Sequence, residues 1–100
     1  MEHAHRYFVY LMTNAHNTVL YVGVTNDLTR RVFEHYNGES TFTAHYRLHK
    51  LVYFEEYQWI QDAIAREKQL KAGSREKKLD LIREHNPQWL KLAEGWYAVQ

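Results

Sequence analysis

The sequence predicts an α+β fold in which a small antiparallel sheet is flanked by helices, in the order ββαβαα. Short runs rich in aromatic and β-branched residues occupy the first quarter of the chain and a stretch near its middle, a composition typical of strands. The second half instead repeats its apolar residues every three to four positions, the period of an amphipathic helix. We expect a single domain over residues 1–100, because a chain of 100 residues can bury enough surface for one core.

The boundaries of the elements follow from periodicity and capping signals. The strands are predicted at residues 6–12, 19–25 and 50–57. The helices are predicted from Asn26 or Asp27 to about Tyr36, from about Trp59 to a stop at Gly73, and over residues 75–85 behind a Ser74 cap. Residues 88–97 are predicted to form a short amphipathic closing segment whose tryptophans pack back on the core.

The first two strands are close enough in sequence to form an antiparallel hairpin. With its turn centred on residues 15 and 16, Tyr10 would lie directly opposite Tyr21. Facing residues point to the same side of a sheet, so the two hydroxyls would lie side by side. A slip of one residue would undo that arrangement.

Composition excludes several classes of protein. The chain has no cysteine, which excludes disulfides, thiolate zinc sites and a cysteine nucleophile. Its net charge of +1 does not indicate a wholly basic nucleic-acid binder. The apolar run at residues 7–12 is too short for a signal-peptide core or a membrane span. We therefore expect a cytoplasmic protein with no membrane association.

Three polar residues, Arg31, His35 and Glu67, fall on the apolar faces of the first two predicted helices. Each has an ordinary structural explanation: an arginine reaching solvent from a helix edge, a satisfied core histidine, or a glutamate paired with Lys71. Together with two facing tyrosines, they form a cluster that a purely structural core would avoid. Such a set suits phosphodiester hydrolysis: a carboxylate for hydrated Mg²⁺ or Mn²⁺, an arginine for the phosphate and a tyrosine to accept a proton.

A local basic surface accompanies this cluster. Residues 66–83 carry seven lysines or arginines and three acids. An ordinary solvated helix surface would look the same, but beside a phosphate-chemistry cluster the patch can bind a nucleic-acid backbone. The residues expected to do so are Lys71, Arg75, Lys77 and Lys78. Phe42 and Tyr46 could stack on bases or plug the core equally well.

The same residues carry a family resemblance. Phe8-Val9-Tyr10 followed after ten residues by Tyr21-Val22-Gly23 resembles the paired motif of the GIY-YIG endonuclease superfamily. Residues 26–35 resemble the first helix of that family, and residues 63–71 resemble the helix that carries its metal-binding glutamate. The similarity extends over residues 6–92 and is closest to the small stand-alone bacterial members, which are related to the nuclease domain of the DNA-repair excinuclease.

The resemblance implies a role for each motif residue. One of Tyr10 and Tyr21 would act as general base or position the attacking water, and Arg31 would contact the scissile phosphate. His35 would hydrogen-bond a tyrosine or the water, and Glu67 would bind the single divalent metal. Gly23 would keep room beside the motif, and the products would carry 5′-phosphate and 3′-hydroxyl ends.

Two departures from the family pattern stand out. Phe8 and Val9 replace the glycine and isoleucine of the first motif, where the backbone matters more than the side chain. Leu79 stands where many members carry an active-site asparagine, and Asn86 lies too far along the chain to replace it.

The sequence therefore favours a metal-dependent endonuclease, with DNA as the preferred substrate and single-stranded or branched forms compatible. The alternatives are a nucleic-acid-binding module with weak or no cleavage, and a protein-interaction domain that uses the aromatic C-terminal segment. A chain of 100 residues leaves no room for a separate DNA-reading domain, so high specificity would need a protein partner or a dimer.

Overall fold

The computed structural model describes residues 6–38 and 45–96, and its elements follow the predicted order. The strands are β1 (Tyr7–Thr13), β2 (Leu20–Thr25) and β3 (Lys50–Tyr57). The helices are α1 (Leu28–Tyr36), α2 (Ile60–Ala72) and α3 (Arg75–His85). The predicted α+β fold, a three-stranded antiparallel sheet flanked by helices, is confirmed. None of the helices described in these two ranges is long and apolar enough to cross a bilayer.

The starts of α1 and α3 are set by the capping residues that the sequence indicated. The Asp27 side chain accepts a hydrogen bond from the Arg30 amide and begins α1. The Ser74 hydroxyl accepts one from the Lys77 amide and begins α3. Each such cap satisfies one of the amides that the first helical turn leaves without an internal partner.

Strand β1 lies at the centre of the sheet, in the order β2-β1-β3, and its alternation creates two separate cores. Val9 and Leu11 belong to the core under α2 and α3, whereas Tyr10 and Met12 belong to the core under α1. All four are completely buried. Because successive side chains point to opposite faces of a strand, α1 lies on one face of the sheet and α2 with α3 on the other.

The predicted register of the hairpin is wrong by two residues. Tyr10 is opposite Gly23, and Tyr21 is opposite Met12. The turn is displaced because the Asn14 side chain accepts hydrogen bonds from the amides at positions 18 and 19, which lengthens the loop to residues 14–19. An even shift leaves side chains on their original face, so the two tyrosines still share one side of the sheet.

The closing segment consists of turns and contacts both faces of the sheet. Trp89 packs against the core under α2 and α3, and Leu92 packs against the core under α1. Trp96 contacts Phe54, with ring centroids 6.1 Å apart. The predicted range runs to residue 97, which lies outside the described residues.

Candidate active site

The centre of the site is a buried hydrogen bond between the hairpin and α1. The hydroxyl of Tyr10 lies 2.8 Å from Nε2 of His35, and both residues are fully buried. His35 reaches this position because Leu28, Val32 and His35 share the inward face of α1. Of the two partners expected for His35, a motif tyrosine or the attacking water, the contact described here is with Tyr10.

Gly23 makes this arrangement possible. A Cβ atom added at residue 23 would lie 2.4 Å from both Cζ and the hydroxyl oxygen of Tyr10. The Tyr10 ring therefore lies directly over the Gly23 backbone, and no other amino acid leaves that space open. The sequence-based suggestion that Gly23 keeps room beside the motif has this geometric basis.

Burial fixes the protonation of both partners. Removal from water raises the pKa of Tyr10 far above its ordinary value of about 10, and the neighbouring Arg31 opposes this only in part. Burial and the positive charge of Arg31 lower the pKa of His35 to about 4. At neutral pH the pair is thus a phenol and a neutral imidazole.

Tyr21 is the more accessible of the two motif tyrosines. Its ring centroid lies 6.3 Å from that of Tyr10 and 5.4 Å from that of His35. Unlike Tyr10, it is only half-buried, and it belongs to the edge strand β2. Of the two hydroxyl-bearing side chains, Tyr21 is therefore the one positioned to meet a solvent-borne substrate.

Arg31 is held at the border of the cluster by a residue that the sequence analysis did not select. Its Nη1 lies 3.0 Å from Oε1 of Glu34, and its side chain is 36% exposed. Arg30 approaches the same carboxylate at 3.7 Å. The signal was present in the sequence, since residues three and four apart on a helix are neighbours. Glu34 orients the guanidinium and leaves part of it open to solvent.

Glu67 does not join these side chains directly. It lies on α2, which packs against the opposite face of the sheet from α1. Its Oε2 lies 2.8 Å from Nζ of Lys71, and its side chain is only 15% exposed. The structure thus brings Tyr10, Tyr21, Arg31 and His35 together. Glu67, the fifth predicted residue, forms the ion pair with Lys71 that was its structural explanation.

The carboxylate of Glu67 fits a divalent metal only as a single protein ligand. Within residues 6–38 and 45–96, no three His, Asp or Glu side chains converge so that they could hold an ion. A hard cation such as Mg²⁺ keeps several of its waters and binds proteins through one or two carboxylates. The donor chemistry therefore fits hydrated Mg²⁺ or Mn²⁺ and not an ion enclosed by protein.

The four basic residues expected to bind a nucleic-acid backbone fall into two groups. Lys71 pairs with Glu67, and the ammonium of Lys78 donates to the carbonyl oxygen of Gly73 at 3.0 Å. Arg75 and Lys77 are exposed at the start of α3. The second pair is the more accessible to a phosphate.

Asn86 has a structural role in the fold. The Asn86 amide is buried, donates to the carbonyls of Val52 and Leu90, and accepts from the Leu90 amide. Its hydrogen-bonding groups are thus committed to the fold, and it does not replace an active-site asparagine. Phe42 lies outside the described residues, and Tyr46 is 43% exposed.

Comparison with known proteins identifies a family for the chain. Residues 6–80 match the family model described as the GIY-YIG catalytic domain. The chain is similar to the UPF0213 protein of Staphylococcus saprophyticus, with 34% identity over 79% of this chain and 96% of the relative. A UPF0213 protein of Staphylococcus aureus is 37% identical over 78% of this chain and 95% of the relative.

A solved structure extends the comparison to the fold. The solution NMR structure of the UPF0213 protein from Bacillus halodurans superimposes with a TM-score of 0.55 and 25% identity, covering 84% of this chain and 89% of that one. The matched family segment contains every member of the paired tyrosine motif, the α1 residues beside it and Glu67. The chain belongs to the GIY-YIG catalytic domain family.

Proposed function

We propose that this protein is a divalent-metal-dependent endonuclease that hydrolyses nucleic-acid phosphodiesters, preferentially in DNA, to 5′-phosphate and 3′-hydroxyl ends. Family membership supports a nuclease-type function in general. The observation that carries the proposal here is the cluster of Tyr10, Tyr21, Arg31 and His35 on one face of the hairpin.

In this proposal the two tyrosines have different tasks. Tyr10 is buried, protonated and bonded to His35, so it acts as a positioning residue. Tyr21 lies half-buried at the edge strand, where its hydroxyl can orient the attacking water and, once ionised to the phenolate, accept the proton of that water. His35, neutral above a pKa of about 4, holds the network without adding a charge.

Arg31 is the proposed phosphate contact. Its guanidinium stays protonated at any physiological pH, and its partly exposed side chain is held by Glu34. A fixed cation that meets the charge building up on a phosphate lowers the barrier to its hydrolysis. The interaction requires the substrate backbone to run along the α1 side of strand β2.

Glu67 would complete the site from the other side of the same edge strand. Helix α2 packs against β2, the strand that carries Tyr21. A phosphodiester crossing this edge would meet Tyr21 and Arg31 on one side and the Glu67 carboxylate on the other. The metal held by Glu67 would supply positive charge to the phosphate and the leaving 3′ oxygen.

The test is incubation of the purified protein with labelled single-stranded, duplex and branched DNA, and with RNA, in Mn²⁺ and in chelator. We expect nicks that require the metal and that Arg31→Ala removes. Arg30→Ala is the matched control, because it removes the same charge from an exposed arginine beside the same glutamate, and it should retain cleavage. Cleavage that persists in chelator, or that is unaffected by Arg31→Ala, would contradict the proposal.

A second candidate is a nucleic-acid-binding module with little cleavage. Two observations favour it. Lys71 forms an ion pair with Glu67, the proposed metal ligand, and Leu79 stands where many family members carry an active-site asparagine. Binding to all substrates with no metal-dependent cleavage of any of them would support this alternative.

A further inference from the structure

A concave surface lies on the face of the sheet that also carries the cluster. It is a pocket of about 450 Å³ whose lining includes the rings of Phe8, Phe54 and Trp96. Phe8 and Phe54 are 6.2 Å apart at an interplanar angle of 70°, and Phe54 and Trp96 are 6.1 Å apart at 72°. Phe54 and Trp96 are 37% and 38% exposed. The rings thus leave apolar surface open to a flat ligand.

The charges around the pocket select against a phosphate. The Arg6 guanidinium is neutralised by Glu56, with Nε 2.5 Å from Oε2. Asp27 adds a second carboxylate, and the other polar lining residues, Asn26 and Thr29, are uncharged. This lining suits an uncharged planar group whose edge carries hydrogen-bond donors and acceptors, since an asparagine side chain can both donate to and accept from such an edge.

The pocket is connected to the cluster by two elements. Phe8 and Tyr10 are alternate residues on β1, which places them about 7 Å apart along the strand on the same face. Asp27 and Arg31 are about one turn apart at the start of α1. A chain whose phosphate contacts Arg31 therefore has the pocket within the reach of one nucleotide.

We propose that this pocket binds an unstacked nucleobase adjacent to the phosphodiester at the Arg31 cluster. The proposal rests on the nucleic-acid function proposed above and adds a substrate class to it. A base paired within a duplex cannot enter such a pocket without being extruded, so the preferred substrate is single-stranded, frayed or branched at that position. Stacking on aromatic rings accepts any base, and the pocket therefore supplies structural preference more than sequence preference.

The experiment is a titration of the full-length ¹⁵N-labelled protein in chelator, so that no cleavage occurs. The probes are a single-stranded DNA tetranucleotide and the abasic tetramer with the same phosphodiester backbone. We expect the tetranucleotide to shift the indole N–H resonance of Trp96 and to bind about tenfold more tightly than the abasic tetramer, a typical contribution for one stacked base.

Variants assign that difference to the pocket. Phe54→Ala should reduce affinity for the tetranucleotide to that for the abasic tetramer, and Phe54→Tyr should restore it. Trp59→Ala, which removes another exposed aromatic ring outside the pocket lining, should have no effect. The partial exposure of Phe54 keeps the cost of its truncation low. If Phe54→Ala does not fold, the comparison of the two tetramers on the wild-type protein still tests the pocket.

The outcomes separate this proposal from the nuclease function. Equal affinities for the two tetramers, or no binding of the tetranucleotide at all, would overturn the nucleobase pocket whatever the cleavage assay shows. A pocket response without any metal-dependent cleavage would support the pocket and contradict the nuclease activity.

Discussion

The Tyr10 ring occupies the space that a side chain at residue 23 would need. The Cα atoms of Tyr10 and Gly23 are paired across the hairpin, and a Cβ on Gly23 would meet the Tyr10 ring end at 2.4 Å. The hydroxyl at that end is the one that contacts His35. A glycine in β2 thus controls a hydrogen bond between β1 and α1.

Gly23→Ala should therefore displace the Tyr10 ring and break its bond to His35. We expect a loss of about 1–3 kcal/mol in the free energy of unfolding, the usual cost of overpacking a core, together with loss of cleavage. Denaturant unfolding measures the first effect. In a Tyr10→Leu background the same substitution should cost much less, and equal costs in both backgrounds would show that the two residues are not coupled.

Phenylalanine substitutions should separate the two motif tyrosines. Tyr10→Phe removes the buried hydroxyl that bonds Nε2 of His35, so we expect about 1–3 kcal/mol of destabilisation. Tyr21→Phe should change stability little but reduce the rate of cleavage by about 100-fold or more, the usual effect of removing a general base. Unfolding and single-turnover cleavage are measured on both variants. The reverse pattern would assign the proton transfer to Tyr10.

His35 should make stability depend on pH. Its folded-state pKa is about 4, whereas an unfolded histidine titrates near 6.5. Between these two pH values the histidine is protonated in the unfolded chain but neutral in the folded protein. The contribution of His35 to the free energy of unfolding is therefore fully present above about pH 6.5, and up to about 3 kcal/mol of it is lost as the pH falls toward 4. Burial tends to raise the pKa of Glu55, but hydrogen bonds from Arg66, Tyr53 and Tyr57 lower it overall. The contribution of Glu55 to stability is therefore lost only at lower pH.

Urea unfolding from pH 7 to pH 4 checks this expectation. His35→Gln should remove the slope between about pH 6.5 and pH 4.5. His16→Gln, a substitution in the exposed hairpin loop, should retain it. If the free energy of unfolding of His35→Gln still depends on pH as in the wild type, a group other than His35 causes the dependence.

The helices and strands could be predicted from short stretches of sequence because residues close in the chain determine where each element begins and ends. Asp27 and Ser74 cap helices through hydrogen bonds to amides three residues away. The hairpin register could not be predicted in the same way, because it depends on how the Asn14 side chain closes the loop. The even size of the error preserved the common face of Tyr10 and Tyr21.

The part of the candidate site that depends on spacing within one helix or one hairpin could be predicted from the sequence. The spacing of Arg31 and His35 on α1 and of the tyrosines on the hairpin predicts one cluster. The placement of Glu67 across the sheet depends on the packing of α2, which no sequence spacing specifies. The aromatic pocket joins Phe8, Phe54 and Trp96 from three distant segments, so it is visible only in the folded chain.

The basic surface at the start of α3 gives a prediction about salt. Lys77→Ala should weaken binding of single-stranded DNA and reduce the log–log salt slope by about 0.7, the value for one phosphate contact. Lys78→Ala should instead lower stability slightly, because Lys78 donates to the Gly73 carbonyl at the end of α2. Fluorescence anisotropy over a range of salt concentrations measures the slope. Identical slopes for wild type and Lys77→Ala would exclude Lys77 from the interface.

The decisive question about Glu67 is whether its carboxylate serves the fold or the reaction. The ion pair joins the half-exposed ammonium of Lys71 to a carboxylate that is only 15% exposed, and ion pairs at i,i+4 on a helix contribute only about 0.3–0.5 kcal/mol. Glu67→Gln should therefore remain folded in chelator with a similarly small change in the free energy of unfolding. It should still bind DNA and lose cleavage by orders of magnitude, because an amide lacks the charge that a divalent cation requires.

The matched control is Glu76→Gln, which removes another glutamate from a helical ion pair, in this case with Arg83. The Glu76 side chain is 67% exposed, so the Glu76→Gln variant should lose neither stability nor cleavage. If Glu67→Gln behaves like this control, the carboxylate is structural and the metal is held elsewhere. If only Glu67→Gln loses cleavage while both variants melt near the wild-type temperature, the residue acts in the reaction. The burial of a carboxylate that contributes so little to stability is then explained by the cation that it binds.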